Sequence, residues 1–183
     1  MTLITLDGTN NTLLTAFTPS VGGGFVALST SVNSAFTGSA PNRLKWAGPI
    51  TYTVSQYAYT IPLIVANYTV STTFRFINGL GPTIADTMAL RARSSRIHRE
   101  GYILALAGTA AQPHYMAADG TLTAIGTSVS YASVGIPASA LDTDYIATFT
   151  VNGTALSATF RGVSLFSGRT DSTLVNPGYA GIG

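Results

Sequence analysis

The stretch that decides the fold runs Asp144-Tyr145-Ile146-Ala147-Thr148-Phe149-Thr150-Val151, then Asn152-Gly153-Thr154, then Ala155-Leu156-Ser157-Ala158-Thr159-Phe160, then Arg161-Gly162-Val163. Apolar and hydroxyl residues trade places along both long runs, which is the period of a strand with one face buried. Branching at Cβ and flat rings suit a pleated surface. Asn152-Gly153 is a strong hairpin signal because both residues tolerate positive φ. Arg161-Gly162 repeats the break one strand later, so the stretch predicts three antiparallel strands joined by tight turns.

Working upstream, the same grammar recurs. Ile50 to Val54, Tyr68 to Phe76, Met88 to Ala92 and Tyr102 to Leu106 read as strands, and Val163 to Phe166 follows the deciding stretch. Asp119-Gly120, Asn78-Gly79 and Gly81-Pro82 punctuate them, while Asn10-Asn11-Thr12 and Gly135-Ile136-Pro137 read as loop joints. Gly22-Gly23-Gly24 is a loop rather than a phosphate cradle, because no helix follows it. Helical periodicity is nearly absent; Ala138 to Leu141 offers one turn at most, too short to stand alone. Many short strands at regular spacing indicate an all-β sandwich or barrel. No linker divides the 183 residues, so residues 1–40 read as a strand or arm completing the same domain as residues 41–183.

Composition narrows the function. Only 9% of residues are charged, with one Glu (Glu100), one Lys (Lys45) and no Cys, against roughly 25% charged in ordinary domains. Disulfides and thiolate chemistry are therefore excluded. A net charge of +2 does not make a polybasic nucleic-acid binder. Apolar runs such as Ile61 to Ala66 fall far short of a membrane helix, and Met1 to Thr15 lacks the basic and apolar regions of an export signal. The expectation is a soluble chain made in a cytoplasm, with no nucleic-acid or membrane partner and no cofactor.

The deciding stretch resembles the closing hairpins of a concanavalin A-like (laminin-G-like) jelly roll. In that family a strand, a Gly turn, a second strand and an x-Gly-Val turn recur in this order. A polar segment like Thr170-Asp171-Ser172-Thr173 and a last strand like Gly178-Tyr179-Ala180-Gly181-Ile182-Gly183 follow. Tyr68-Thr69-Val70, Leu90-Arg91-Ala92-Arg93 and Gly101-Tyr102-Ile103-Leu104 resemble its middle strands. The pattern spans about residues 40–183, with a weaker match through Phe17-Thr18-Pro19 and Gly22-Gly23-Gly24. The resemblance implies a two-sheet antiparallel jelly-roll sandwich with little or no helix. The richness in Thr, Ala and Gly is similar to that of such domains in tailed-bacteriophage virion proteins.

Several constellations compete as sites. Arg91, Arg93, Arg96, His98 and Arg99 gather four of the nine Lys and Arg residues within nine positions. Alternation puts Arg91 and Arg93 on one face, where they would meet an acidic subunit, an acidic glycan or a phosphate. The plainer reading is a strand edge blunted by charge. Trp46, Tyr52, Tyr57, Tyr59 and Tyr68 would stack on sugars, or simply fill the core. A glycosidase needs two carboxylates about 5–10 Å apart; Glu100 has no Asp within ten residues, so no enzyme is expected. Asp119, Asp142, Asp144 and Asp171 lack the clustered spacing of a calcium loop, and His98 and His114 accompany no nucleophile elbow.

Two functional expectations result. One is a non-enzymatic virion protein decorating a capsid, or part of a tail or fibre, bound to the major capsid or tail protein and self-associating as a dimer or trimer. The other is a lectin-like module binding a glycan, free or on a virion.

Overall fold

The computed structural model describes residues 65–75, 88–95, 97–137 and 143–182, and the backbone of four short strands upstream. The deciding stretch folds as read. β11 (Asp144–Asn152) pairs antiparallel with β12 (Ala155–Phe160), which pairs with β13 (Val163–Thr170). β5 (Tyr68–Arg75) lies on the other side of β11, completing a four-stranded sheet of order β13-β12-β11-β5.

The two turns solve the same problem differently. Arg161 and Gly162 both take positive φ (56° and 79°) between Phe160 and Val163, the φ pattern of a type I′ turn. In the first turn Asn152 stays in the strand opposite Ala155, and the loop is Gly153-Thr154. Only Gly153 has positive φ, 57°, as a type II′ turn requires at its first central position. The Asn-Gly signal thus locates the hairpin but is one residue off in its centre.

The second sheet has the order β1-β4-β14-β6-β7-β8-β10, all antiparallel. Its members are β1 (Phe25–Ala27), β4 (Tyr57–Tyr59), β14 (Tyr179–Ile182), β6 (Met88–Ser94), β7 (Gly101–Leu106), β8 (Ala110–Met116) and β10 (Val129–Ser130). β9 (Leu122–Ala124) also pairs with β8. A separate hairpin joins β2 (Ser34–Thr37) to β3 (Arg43–Trp46). The architecture is all-β, a two-sheet antiparallel jelly-roll sandwich. Among the described residues the helical element is one 3₁₀ turn, Tyr131–Val134, ended by Gly135 at φ 74°. Ala138 to Leu141, Gly22 to Gly24, Asn78-Gly79 and Gly81-Pro82 lie outside the described residues.

The core fills the space between the sheets, as strand alternation dictates. Tyr145, Ala147, Phe149 and Val151 of β11 and Leu156, Ala158 and Phe160 of β12 face Leu90, Ala92, Tyr102, Leu104, Leu106 and Ala111 across the sandwich. Phe160 stands among three rings, with centroids 4.8 Å from Tyr131, 5.4 Å from Tyr145 and 6.0 Å from Phe74.

The outer face of the larger sheet is also buried around Ala89, Ile103 and Met116. Arg91, Ile103 and His114 form one row across β6, β7 and β8 on that face. His114 Nδ1 is buried with no hydrogen-bond partner among the described residues. Burial draws its pKa below the usual imidazole value, with the Gln112 backbone partly opposing. A base whose folded pKa is depressed is stabilising when neutral, so its contribution is full above the unfolded pKa and fades as pH falls. We expect unfolding free energy to drop between pH 7.5 and 5.5, by at most one proton's slope, about 1.4 kcal/mol per pH unit. Urea denaturation of His114→Gln across that range should show a flatter dependence; a slope parallel to that of the parent chain would remove His114 from the account.

Candidate functional site

The loop joining β6 to β7 is braced from below. Ser95 N–H donates to the Glu100 carbonyl at 2.9 Å, and the Ser95 hydroxyl accepts the N–H groups of Ile97 (3.2 Å) and His98 (3.1 Å). Beneath it Arg91, 0% exposed, donates to Ser94 Oγ (3.2 Å), to Met116 Sδ (3.7 Å), and to the carbonyls of Arg99 and Glu100. Burial, then the nearby Arg99, draws the Arg91 pKa down to about 10, still protonated at neutral pH. A buried guanidinium thus ties two consecutive carbonyls where the loop enters β7.

Arg93 behaves differently from the sequence expectation. Alternation assigns it to the face of Arg91, but β6 bulges there. Ser94 pairs with Tyr179 and Arg91 with Gly181, so two residues of β6 oppose Ala180 alone, and Arg93 takes φ 48°. The bulge turns its side chain away from that of Arg91. At 3% exposed, Arg93 donates to Ala66 O from Nε (3.0 Å) and Nη2 (2.9 Å), to Gly153 O (2.7 Å) and Leu174 O from Nη1, and to Asn67 Oδ1 (3.5 Å) from Nη2. Its own N–H donates to the Tyr68 hydroxyl. Thus neither Arg91 nor Arg93 stands on a solvated face. Both hold the chain's own carbonyls.

Between the braced loop and the segment leading into β14 lies a cavity of about 500 Å³. Ser95, Ile97 and Glu100 line one side and Val175, Asn176 and Tyr179 the other, with Arg93 in the wall. Ile97 is 76% and Val175 48% exposed. The wall admits no bulkier residue at Gly178, where a Cβ would fall 2.7 Å from the Arg93 carbonyl carbon.

The far wall is fixed by a phenol. The Tyr102 hydroxyl donates to Asp171 Oδ1 at 2.8 Å and accepts Leu174 N–H at 2.9 Å. Burial foremost pushes the Tyr102 pKa up to about 12, with Asp171 adding and Leu174 N–H opposing. Desolvation would raise the Asp171 pKa, but hydrogen bonds from Thr173 and Tyr102 outweigh it and hold the carboxyl below its usual value. On the near side the Tyr115 hydroxyl donates to Glu100 Oε1 at 3.1 Å. Burial raises the Tyr115 pKa, and the carboxylates of Glu100, Asp119 and Asp171 raise it further.

Of the other sequence candidates, His98 is exposed on the braced loop. Arg99 is half-buried against the β8–β9 turn, where a Cβ at Gly120 would fall 2.8 Å from its Nη1. Arg96 and Asp142 lie outside the described residues, as do Tyr52 and the side chains of Trp46, Tyr57 and Tyr59. Tyr68 is half-buried and its hydroxyl serves Arg93; burial pushes its pKa up to about 12. Among the described residues no three acidic or imidazole groups cluster as metal ligands. Sequence reasoning missed Ile97, Asn176 and Tyr179, and noticed Glu100 only as a lone carboxylate.

A second surface carries a patch of hydroxyls. On the outer face of the four-stranded sheet, Thr69 and Ser71 of β5, Thr148 and Thr150 of β11, and Ser157 and Thr159 of β12 stand in register. Their hydroxyls pair across strands, Thr69 with Thr150 at 2.8 Å and Thr148 with Thr159 at 2.7 Å.

No family model matches the chain, and no curated protein sequence does. Among solved structures it is similar to the carbohydrate-binding module CBM66 from Bacillus subtilis, with 13% identity and a TM-score of 0.65 over 87% of this chain and 86% of that one. Sheep galectin-11 in complex with glycerol aligns at 8% identity and a TM-score of 0.46, over 69% of this chain and 86% of that one. The first likeness shows the fold.

Proposed function

We propose that this chain is a non-catalytic carbohydrate-binding module that seats a sugar unit in the cavity between the β6–β7 loop and the segment before β14. The observation carrying the reading is that cavity. Glu100 and Asn176, a carboxylate and an amide, line it together with a tyrosine and two exposed apolar side chains. Ring and apolar surface suit the C–H faces of a sugar, and the polar groups suit its hydroxyls. The walls are fixed beforehand by Arg91, Arg93 and Tyr102, which lowers the ordering cost of binding. The shared fold of a solved carbohydrate-binding module supports the same reading.

The test is a glycan array followed by calorimetric titration. We expect saturable binding that Tyr179→Ala and Asn176→Ala each weaken about tenfold, the loss of one good contact. Binding untouched by both substitutions would move the site elsewhere, and shortened glycan products would replace binding with catalysis.

A second reading, a virion protein decorating a capsid or built into a tail or fibre, is favoured by the paired-hydroxyl face. The hydroxyl patch on that face can dock with little charge to desolvate, and repeated weak contacts would add through multivalency. The two readings are compatible in a fibre-borne lectin.

A further inference from the structure

We propose that the cavity selects an uncharged glycan, taken by two neighbouring sugar hydroxyls that donate to the Glu100 carboxylate, and rejects uronic and sialic acids. This rests on the carbohydrate reading above and names its ligand class.

Among the described residues the cavity wall carries two charged groups, Arg93 and Glu100. A guanidinium has five N–H donors. Those of Arg93 reach Ala66 O from Nε and Nη2, Gly153 O and Leu174 O from Nη1, and Asn67 Oδ1 from Nη2. An anionic sugar reaching for this cation would have to break contacts that hold the wall in place. Arg91 is likewise engaged beneath the loop by Ser94, Met116 and the carbonyls of Arg99 and Glu100. The cationic cluster that suggested an acidic partner therefore offers its two innermost members to the fold.

Glu100 is in the opposite position. Its Oε1 accepts one hydrogen bond, from Tyr115, whereas a carboxylate has about four lone-pair sites. An ionised carboxylate only accepts, so its natural partners are donors, and adjacent sugar hydroxyls supply two. An anionic sugar seated in this cavity would meet the like charge of Glu100 itself. Such a clash is how a site rejects a competitor that otherwise fits. Ile97, Val175 and Tyr179 complete the preference with surface that gains nothing from a charged ligand.

The test titrates the chain with β-glucan, mannan and starch fragments, with polygalacturonate and sialyllactose, and with chitosan fragments. Each ligand is repeated against Glu100→Gln. Glutamine keeps a carbonyl acceptor for the Tyr115 hydroxyl, so thermal stability should hold. We expect the unaltered chain to bind a neutral glycan and neither acidic probe. Glu100→Gln should weaken neutral binding about tenfold, the difference between a charge-assisted and an ordinary hydrogen bond, while relieving the exclusion of acids. Acidic or amino glycans bound as tightly as neutral ones would overturn the inference and leave the carbohydrate reading standing, as would neutral binding indifferent to Glu100→Gln. Binding of no glycan of any class would sink the carbohydrate reading itself. If the variant unfolds, the class preference of the unaltered chain decides alone.

Discussion

Arg93→Met will destabilise the fold by about 3 kcal/mol, because it strips donors from several backbone carbonyls at once. An acceptor left unsatisfied away from water costs about 1–3 kcal/mol; Arg93 serves the carbonyls of half-buried Ala66 and Leu174 and of Gly153, which lies on an exposed turn within reach of water. Those three groups belong to different parts of the chain: the approach to β5, the β11–β12 turn and the segment before β14. Methionine keeps much of the side-chain volume, so the loss reports hydrogen bonding rather than a cavity. Equilibrium urea denaturation should show a lower midpoint with an unchanged slope. Arg93→Lys should recover only part of the loss, since one ammonium cannot reproduce a planar fork. A loss below 1 kcal/mol for Arg93→Met would mean that water replaces the guanidinium freely, and that the cavity wall does not depend on it.

Arg93 also marks where the sequence stops being informative. The three C-terminal strands are legible because their alternation is strict: Tyr145, Ala147, Phe149 and Val151 point inward, and hydroxyls or exposed residues point outward. β6 breaks that rule twice. It is buried on both faces, so its apolar and basic residues share one continuous buried run. It also bulges at Arg93, which changes the face of every residue beyond the irregularity. A bulge leaves no trace in a hydrophobic pattern, because it is decided by which partner strand arrives opposite, here β14 from more than eighty residues downstream. The arginine cluster was visible in the sequence for the same reason that it was misread: charge density is local, whereas burial of a guanidinium depends on carbonyls gathered from distant segments.

The cavity was illegible on similar grounds. Its two walls, the loop around Ile97 and the segment around Asn176, are about eighty residues apart in the chain and are united by the pairing of β6 with β14. Glu100 stood out by composition, being the single glutamate. Without its neighbours it could be read only as evidence against paired-carboxylate chemistry. Short-range signals fared better, as Asp119-Gly120 shows. Asp119 Oδ1 accepts Thr121 N–H at 2.8 Å and Gly120 takes φ 94°, a turn made entirely from adjacent residues.

Phe160→Ala, by contrast, should cost about 3–5 kcal/mol, the range for removing a large aromatic ring from a packed core, yet leave the cavity's ligand affinity unchanged. Phe160 is 0% exposed and touches the rings of Tyr131, Tyr145 and Phe74. Losing it removes transfer free energy and leaves a void that those rings cannot close without leaving their own positions. It sits at the end of β12 opposite Ala155, about 17 Å along the strand at roughly 3.3 Å per residue. Ala155 is the end beside Gly153, whose carbonyl Arg93 holds. The two substitutions therefore separate what the sandwich does for stability from what one end of it does for binding. Arg93→Met should weaken both, whereas Phe160→Ala should lower the denaturation midpoint while folded protein, assayed well below its melting point, titrates glycan as the parent chain does. Phe160→Leu should lose less, because a branched aliphatic side chain refills part of the space. Glycan affinity that falls in step with stability in Phe160→Ala would show that the cavity is set by the packing of the whole sandwich rather than by the buried arginines at its edge.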